Sequence, residues 1–305
     1  MRVAIVQAEV PADLTTGLTK TRALAAKAAT GGAQLVAFPE SWLPGYPAWL
    51  DSCRDAALWN HPPVKAEFAR MATNSVVVEG EDGRSLGQIA RDTAVTLVIG
   101  IVERVESGPG RGTLYNSLLT FTPDGALANH HRKLMPTYSE RMVWGAGDTN
   151  GVRAVDTPVG RVAGLVCWEH WMPLARQTMH DSGEDIHVAA WPTVHEMHQV
   201  ASRHYAFEGR CFVLASGSLM RTAALPRDLE VHPAHRGEWA LRGGSMIVAP
   251  DGRVLAGPVF EREEIIAAEI DLREVREESM TLDVSGHYAR PDCFEFRPIR
   301  HPRPA

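Results

Sequence analysis

No apolar run in this 305-residue sequence approaches the roughly 18 residues that a membrane span requires. The opening residues, Met1-Arg2-Val3-Ala4-Ile5-Val6-Gln7-Ala8, lack the apolar segment and cleavage site of a secretory leader and read as a strand. Cysteine is scarce, and Cys53, Cys167, Cys211 and Cys293 stand far apart without paired spacing. A chain this large does not need disulfide staples, so free thiols in a reducing cytoplasm are expected. Basic charge is not in excess either. With 31 Lys+Arg against 37 Asp+Glu the formal net charge is -6, which leaves no electrostatic footprint for nucleic acid. Arg297, Arg300 and Arg303 read as a solvated tail rather than a binding arm. What is present is 45% hydrophobic and 22% charged residues, the balance of a soluble globular protein with a sizeable core. Neither membrane nor nucleic acid is expected as a partner.

The pattern of elements points to an α/β fold. Residues 2–8 read as a strand, Thr15–Thr30 as a helix stopped by Gly31-Gly32, and Gln34–Phe38 as a second strand, so the two strands should be parallel neighbours. Ser41–Pro63 is a long aromatic and proline-rich loop of the kind that covers a site or packs on a neighbour. A helix over Arg84–Thr93 leads into a buried strand at Val95–Val102. Leu114–Thr122 and Ala126–His131 flank the hairpin turn Pro123-Asp124-Gly125. Val152–Asp156 and Arg161–Val166 form another pair. A helix over Pro173–Ser182 and a strand over Ile186–Trp191 follow, then a helix over His195–Gly209 and a strand over Cys211–Ser216. After a loop from Arg221 to Arg242, strands at Gly243–Ala249 and Glu264–Ile270 surround the turn Pro250-Asp251-Gly252. From about Met280 the periodicity fades into a tail. With no linker or break in composition, residues 1–280 read as one domain and 281–305 as its tail. Hairpins mixed with crossover helices are satisfied by two stacked sheets flanked by helices.

Three polar side chains stand where apolar strands end. Glu40 follows Gln34–Phe38, Lys133 follows the hairpin, and Cys167 follows Arg161–Val166. Each alone has a bland reading: an exposed loop carboxylate, a surface lysine and an inert core thiol. Together they make coherent chemistry. A carboxylate can take a thiol proton and return it to a leaving amine. An ammonium favours thiolate and stabilises negative charge on a tetrahedral adduct. Cys211 lies inside an apolar run and reads as core, while Cys53 and Cys293 lack a basic neighbour and read as structural. His195 and His198 are three apart on a helix and could face one metal, but His204 falls on another face and no fourth ligand is evident. No metal is expected. Tyr46, Trp59, Trp144 and Trp191 could line an acyl or aryl pocket or simply pack the core; Trp144 and Trp191-Pro192 are the preferred pocket residues.

These segments resemble the motifs of the carbon–nitrogen hydrolase superfamily, and within it the nitrilase branch. Phe38-Pro39-Glu40, His131-Arg132-Lys133-Leu134-Met135-Pro136-Thr137 and Cys167-Trp168-Glu169 are similar to its glutamate, lysine and nucleophile motifs. The likeness extends to Tyr115-Asn116-Ser117, Glu140-Arg141-Met142-Val143-Trp144-Gly145, Glu208–Val213, Gly243-Gly244-Ser245, Pro250-Asp251-Gly252 and Gly286–Asp292. It implies a four-layer α-β-β-α sandwich of two mixed sheets that forms a homodimer or a larger homo-oligomer, with the tail at a subunit interface. It also implies Cys167 as nucleophile, Glu40 as general base and acid, and Lys133 as stabiliser of the tetrahedral intermediates. Glu140 would position substrate or water, and the backbone N–H of Trp168 would be an oxyanion donor. No cofactor or metal is implied. The expected reaction converts an organic nitrile to its carboxylic acid and ammonia. The alternatives are an amidase or N-carbamoyl amidohydrolase, a cyanide dihydratase, or an idle homologue that serves assembly or binding. His170 stands where many nitrilases carry asparagine, and it joins the expected substrate-binding residues. The tail is shorter than in many filament-forming relatives.

Overall fold

The computed structural model describes residues 1–300, so Arg303 lies outside the described residues. The chain opens with β1 (Arg2–Gln7), α1 (Leu14–Thr30) and β2 (Ala33–Ala37). The Asp13 carboxylate accepts the Thr16 N–H at 2.8 Å, capping an otherwise orphaned donor at the start of α1. The strands β1 and β2 pair in parallel, as the strand–helix–strand pattern predicts. Then come α2 (Trp49–Ser52), α3 (Pro62–Thr73), α4 (Glu81–Thr93), β3 (Thr96–Arg104), β4 (Leu114–Phe121) and β5 (Leu127–Arg132). The middle of the chain holds β6 (Val155–Thr157), β7 (Gly160–Val166), α5 (Pro173–Asp181), β8 (Ile186–Ala190), α6 (Glu196–Gly209) and β9 (Phe212–Ser216). The last elements are β10 (Leu219–Arg221), β11 (Trp239–Val248), β12 (Val254–Phe260), β13 (Glu264–Glu269) and α7 (Arg273–Glu278).

One sheet has the order β13-β1-β2-β3-β4-β5 and the other β10-β11-β9-β8-β7-β6, with β12 added to β11. Both are mixed. In the first, β1, β2 and β3 pair in parallel while the β13–β1, β3–β4 and β4–β5 pairs are antiparallel. In the second, β7, β8 and β9 pair in parallel while the β6–β7, β9–β11, β10–β11 and β11–β12 pairs are antiparallel. Period-2 alternation divides each strand between two cores. Ile5, Leu35 and Val98 face the second sheet and share a core with Val162, Val166 and Val188. Their neighbours Val6, Val36 and Leu97 face outward and pack with Ala25 of α1 and with Leu86 and Ile89 of α4. Met179 of α5 and Ala201, Tyr205 and Ala206 of α6 cover the other sheet. The result is the four-layer α-β-β-α sandwich. Strands covered on both faces read as continuous apolar runs, which is why the sequence shows them clearly.

The loop from Ser41 onward packs as a separate lid-like cluster. Tyr46, Trp49 and Leu50 are buried with Trp144, Leu225 and Leu241. Backbone bonds from Arg54 to Glu230 (3.0 Å) and from His232 to Ser52 (2.8 Å) lace it to the segment between β10 and β11. At its root, Gly100 of β3 lies under the Glu40 turn. A Cβ there would sit 2.2 Å from the Pro39 carbonyl oxygen and 2.7 Å from the Glu40 Cα. Gly100→Ala should therefore lower unfolding free energy by about 1–3 kcal/mol through overpacking. It should also lower kcat by pushing Glu40 out of place, a combination that denaturant titration and kinetics would detect together. Among the described residues no helix is long and apolar enough to cross a membrane.

Candidate active site

Where the strands of the two sheets end, Glu40, Lys133 and Cys167 come together with Glu140, and all four are buried. Glu40 follows β2, Lys133 follows β5 and Cys167 follows β7. Glu140 sits on a single 3-10 turn, Tyr138–Met142. Lys133 Nζ donates to Glu40 Oε1 at 3.0 Å and to Glu140 Oε2 at 2.6 Å. A polar atom of each of Glu40, Glu140 and Cys167 falls within 4.8 Å of the other two. Those three types can ligate a metal, yet Lys133 already brings a cation between the two carboxylates.

Asn116 of β4 completes the arrangement, and residue-level reading assigned it no part. Its side-chain amide donates to Glu40 Oε1 at 2.6 Å, and its backbone carbonyl oxygen accepts the Lys133 backbone N–H at 2.8 Å. The available signal was an asparagine inside the strand Leu114–Phe121, since buried amides need partners. With Oε1 held by Asn116 and Lys133, the buried Oε2 of Glu40 has no hydrogen-bond partner among the described residues. That oxygen is free to take a proton. Glu140 is fixed further by the Thr137 N–H, which shares Oε2 with Lys133 at 2.7 Å, and by the Tyr46 hydroxyl on Oε1 at 2.9 Å.

Burial pushes the Glu40 carboxyl up to about 7, against the opposing pull of the Lys133 charge. Burial also pushes the Cys167 thiol well above its ordinary range, and the Glu40 charge adds to this. Lys133 and the backbone N–H of Trp168 act in the opposite direction. Burial would strip the Lys133 proton, but the charges of Glu40, Cys167 and Glu140 overcome it and hold the ammonium above its ordinary value. The resting arrangement is thus a neutral thiol, a permanent cation and a carboxylate tuned near neutrality. It can pass one proton from sulfur to oxygen as a bond forms at sulfur.

Backbone strain concentrates here. Cys167 has φ +52°, Ser41 next to Glu40 has +48°, and Tyr138 near Glu140 has +40°. Left-handed backbone at such residues is costly and marks sites where the surroundings impose the geometry. Glu169, buried below the turn, does much of that. Its carboxylate accepts the N–H groups of Val166 and Leu134, both at 2.7 Å, and pairs with His131 at 2.8 Å. One side chain thereby joins the ends of β5 and β7, and with them Lys133 and Cys167.

A cavity of about 450 Å³ opens onto Cys167 and Glu140. Tyr46 and Pro192, two of the expected substrate contacts, line it together with Trp168, the expected oxyanion donor, and with Tyr138, His195 and His198. Four of the expected pocket aromatics and imidazoles do not reach it. Trp59 is 97% exposed on the outer loop and packs on nothing near the site. Trp144 lies behind Tyr46 and 6.0 Å from Lys133 Nζ, in a second layer. Trp191 is fully buried, and its ring stacks at 4.7 Å on that of His170. His170 itself turns into the core and is buried. His195 lies just outside α6, whose first turn brings the His198 ring within bonding distance of the His195 N–H (3.1 Å). The pair lines the cavity, while His204 is exposed and 3.9 Å from Glu208.

A profile of the family described as carbon-nitrogen hydrolase matches residues 2–278. An aliphatic nitrilase of Sinorhizobium fredii is 37% identical, with 100% of this chain and 97% of that protein aligned. A bifunctional nitrilase/nitrile hydratase of Nicotiana tabacum is 36% identical over 97% of this chain and 85% of its own length. Among solved structures, a carbon-nitrogen hydrolase from Helicobacter pylori G27 superposes with a TM-score of 0.73 at 21% identity, covering 92% of each chain. An amidase from Nesterenkonia sp. superposes with a TM-score of 0.63 at 18% identity, covering 91% of this chain and 92% of its own. These last two likenesses concern the fold alone. With the fold, the Glu–Lys–Cys geometry and full-length relatives in agreement, the chain belongs to the carbon–nitrogen hydrolase family, in its nitrilase branch.

Proposed function

We propose that this protein is a nitrilase that hydrolyses an organic nitrile to the carboxylic acid and ammonia, with Cys167 as nucleophile. The observation that carries the reading is the unpartnered Glu40 Oε2 beside a protonated Cys167, with Lys133 bridging both carboxylates. Glu40 takes the thiol proton as Sγ adds to the nitrile carbon and passes that proton to the nitrile nitrogen, giving a thioimidate and an ionised Glu40. Water, deprotonated by Glu40, adds to that carbon. Glu40 carries both protons of this water in turn to the nitrogen, and the C–N bond breaks as ammonia leaves and the C=O of the thioester forms. A second water cleaves the resulting thioester and frees Cys167. Two waters are consumed and one ammonia is released. Lys133 and the Trp168 N–H lie where negative charge develops, and Glu140 holds Lys133 and the attacking water. The full-length nitrilase relatives support nitrile over amide as substrate. A panel of nitriles and amides with ammonia and acid measured together tests this: acid and ammonia from nitriles support it, and turnover of amides alone overturns it.

Glu40 must be ionised to act as base, so kcat/KM should fall below about pH 7, the value to which burial lifts this carboxyl. One proton is involved, so the drop is about tenfold per pH unit. Glu40→Gln should lose roughly 10³-fold in kcat and the acidic limb with it. A limb unchanged in position in the residual activity of Glu40→Gln would assign the titration elsewhere.

We further propose that the protein works in the cytoplasm as a homo-oligomer, residues 1–280 forming one catalytic unit with the tail against a second copy. Four free thiols support a reducing compartment. Tyr288, Phe294 and Ile299, exposed along the tail, support burial against another subunit. Arg297 is solvated, whereas Arg300 donates to the carbonyls of Thr149, Asn150 and Val152 and ties the tail back to its own chain.

A further inference from the structure

Below the nucleophile a line of buried ionisable groups runs through the second sheet to its outer helices. His170 Nδ1 lies 2.7 Å from the Cys167 carbonyl oxygen, and His170 Nε2 lies 3.0 Å from His187 Nε2. His187 Nδ1 is 2.6 Å from Glu184, whose other oxygen takes the Tyr205 hydroxyl at 2.6 Å and His180 Nδ1 at 3.1 Å. His180 Nε2 then meets Glu208 at 3.2 Å, and Arg176 holds Glu208 at 2.7 Å near the surface. The proposed reaction uses none of these side chains.

Counting donors fixes the protons. The Cys167 carbonyl only accepts, so His170 Nδ1 carries hydrogen; Glu184 only accepts, so His187 Nδ1 carries another. A single hydrogen lies between the two Nε2 atoms, and the imidazole pair holds one positive charge. That charge belongs on His187, which is paired with a carboxylate. Burial and the neighbouring His187 hold His170 well below its ordinary range.

The consequence reaches the reacting atoms through one peptide unit. The Cys167 carbonyl and the Trp168 N–H are opposite ends of a planar trans amide. His170 grips the oxygen end inside the core, and the hydrogen end faces the sulfur. We propose that His170 is a positioning residue that aims the Trp168 N–H at the developing oxyanion or nitrogen anion, and that the proton on His187 keeps His170 in its donating tautomer. The inference rests on Cys167 being the nucleophile. An asparagine at 170 would carry an N–H whatever the state of His187, so it uncouples the two positions.

The test is a double-mutant cycle on kcat and KM. His170→Ala should lower kcat about tenfold or more with KM within about twofold, because an oxyanion donor acts in the transition state. His170→Asn should recover most of the loss. His187→Gln should lower kcat by about tenfold in the His170 protein and by less than about threefold in the His170→Asn protein. Equal losses in both backgrounds would make His187 merely structural and overturn the proposal. If His187→Gln does not fold, the first two variants decide: an unimpaired His170→Ala overturns it. Failure of the nucleophile assignment is distinct, since it would show as activity surviving in Cys167→Ala.

Discussion

Cys167→Ala is expected to abolish ammonia release, with kcat falling by at least about 10⁴-fold, the scale on which loss of a covalent nucleophile is felt. The reason lies in what surrounds the sulfur. No other cysteine can replace it: Cys211 is buried in the hydrophobic core and burial pushes its thiol well up, while Cys53 lies in the loop cluster and burial raises its thiol to about 11. Cys293 is exposed in the tail. The fold should survive the change. Alanine removes one sulfur atom from a partly open cavity wall and keeps the Cβ, so the unfolding midpoint should move little. Cys211→Ala is the matching control, with full activity and a modest loss of stability from the small void it leaves. An inactive Cys167→Ala that also unfolds would not support the assignment; an inactive, stably folded one does.

Lys133→Met is expected to do the most damage to stability and activity together. The ammonium is the shared partner of Glu40 and Glu140, and all three groups are buried. Removing one member of such a set strands charge in the interior and costs about 3–5 kcal/mol. The protein can soften that only by taking up a proton on a carboxylate, so the penalty should grow as pH rises. In the wild-type chain the sign is opposite for the lysine itself. Its folded value is raised above the ordinary 10.5, so its contribution is fully present below about 10.5 and lost only at more alkaline pH. Denaturant unfolding of Lys133→Met at pH 5 and pH 8 should show the larger deficit at pH 8. A deficit independent of pH would mean that the carboxylates are not strained by loss of their cation. Arginine is no rescue, because its planar fork does not fit the space of an ammonium.

Much of this was legible in the sequence, for identifiable reasons. Glu40, Lys133 and Cys167 each follow an apolar run, and a strand covered on both faces announces its own end. The hairpin at Pro123-Asp124-Gly125 and the parallel β1–β2 pair were legible from turn chemistry and helix spacing. Other features depend on contacts that no local pattern encodes. The helix α3 begins at Pro62-Pro63, which reads as loop although proline suits a first helical turn. The strongly charged Arg273–Glu278 gives α7 no apolar stripe to detect. Trp59 and Trp191 share a residue type and an expected role, yet one is on the surface and the other in the core. Asn116 and His170 differ again. Their neighbours in sequence match family motifs, but their parts emerge only when Glu40, Lys133, His187 and the Cys167 carbonyl are in place around them.

The most direct measurement is mass spectrometry of protein quenched in acid during turnover of a nitrile substrate, followed by digestion. The mechanism predicts a mass increase equal to the substrate's acyl group on the peptide containing Cys167, absent from Cys167→Ala and lost once substrate is exhausted. Full turnover with no adduct on Cys167 at any quench time, or with the adduct on another residue, would contradict covalent catalysis by this cysteine.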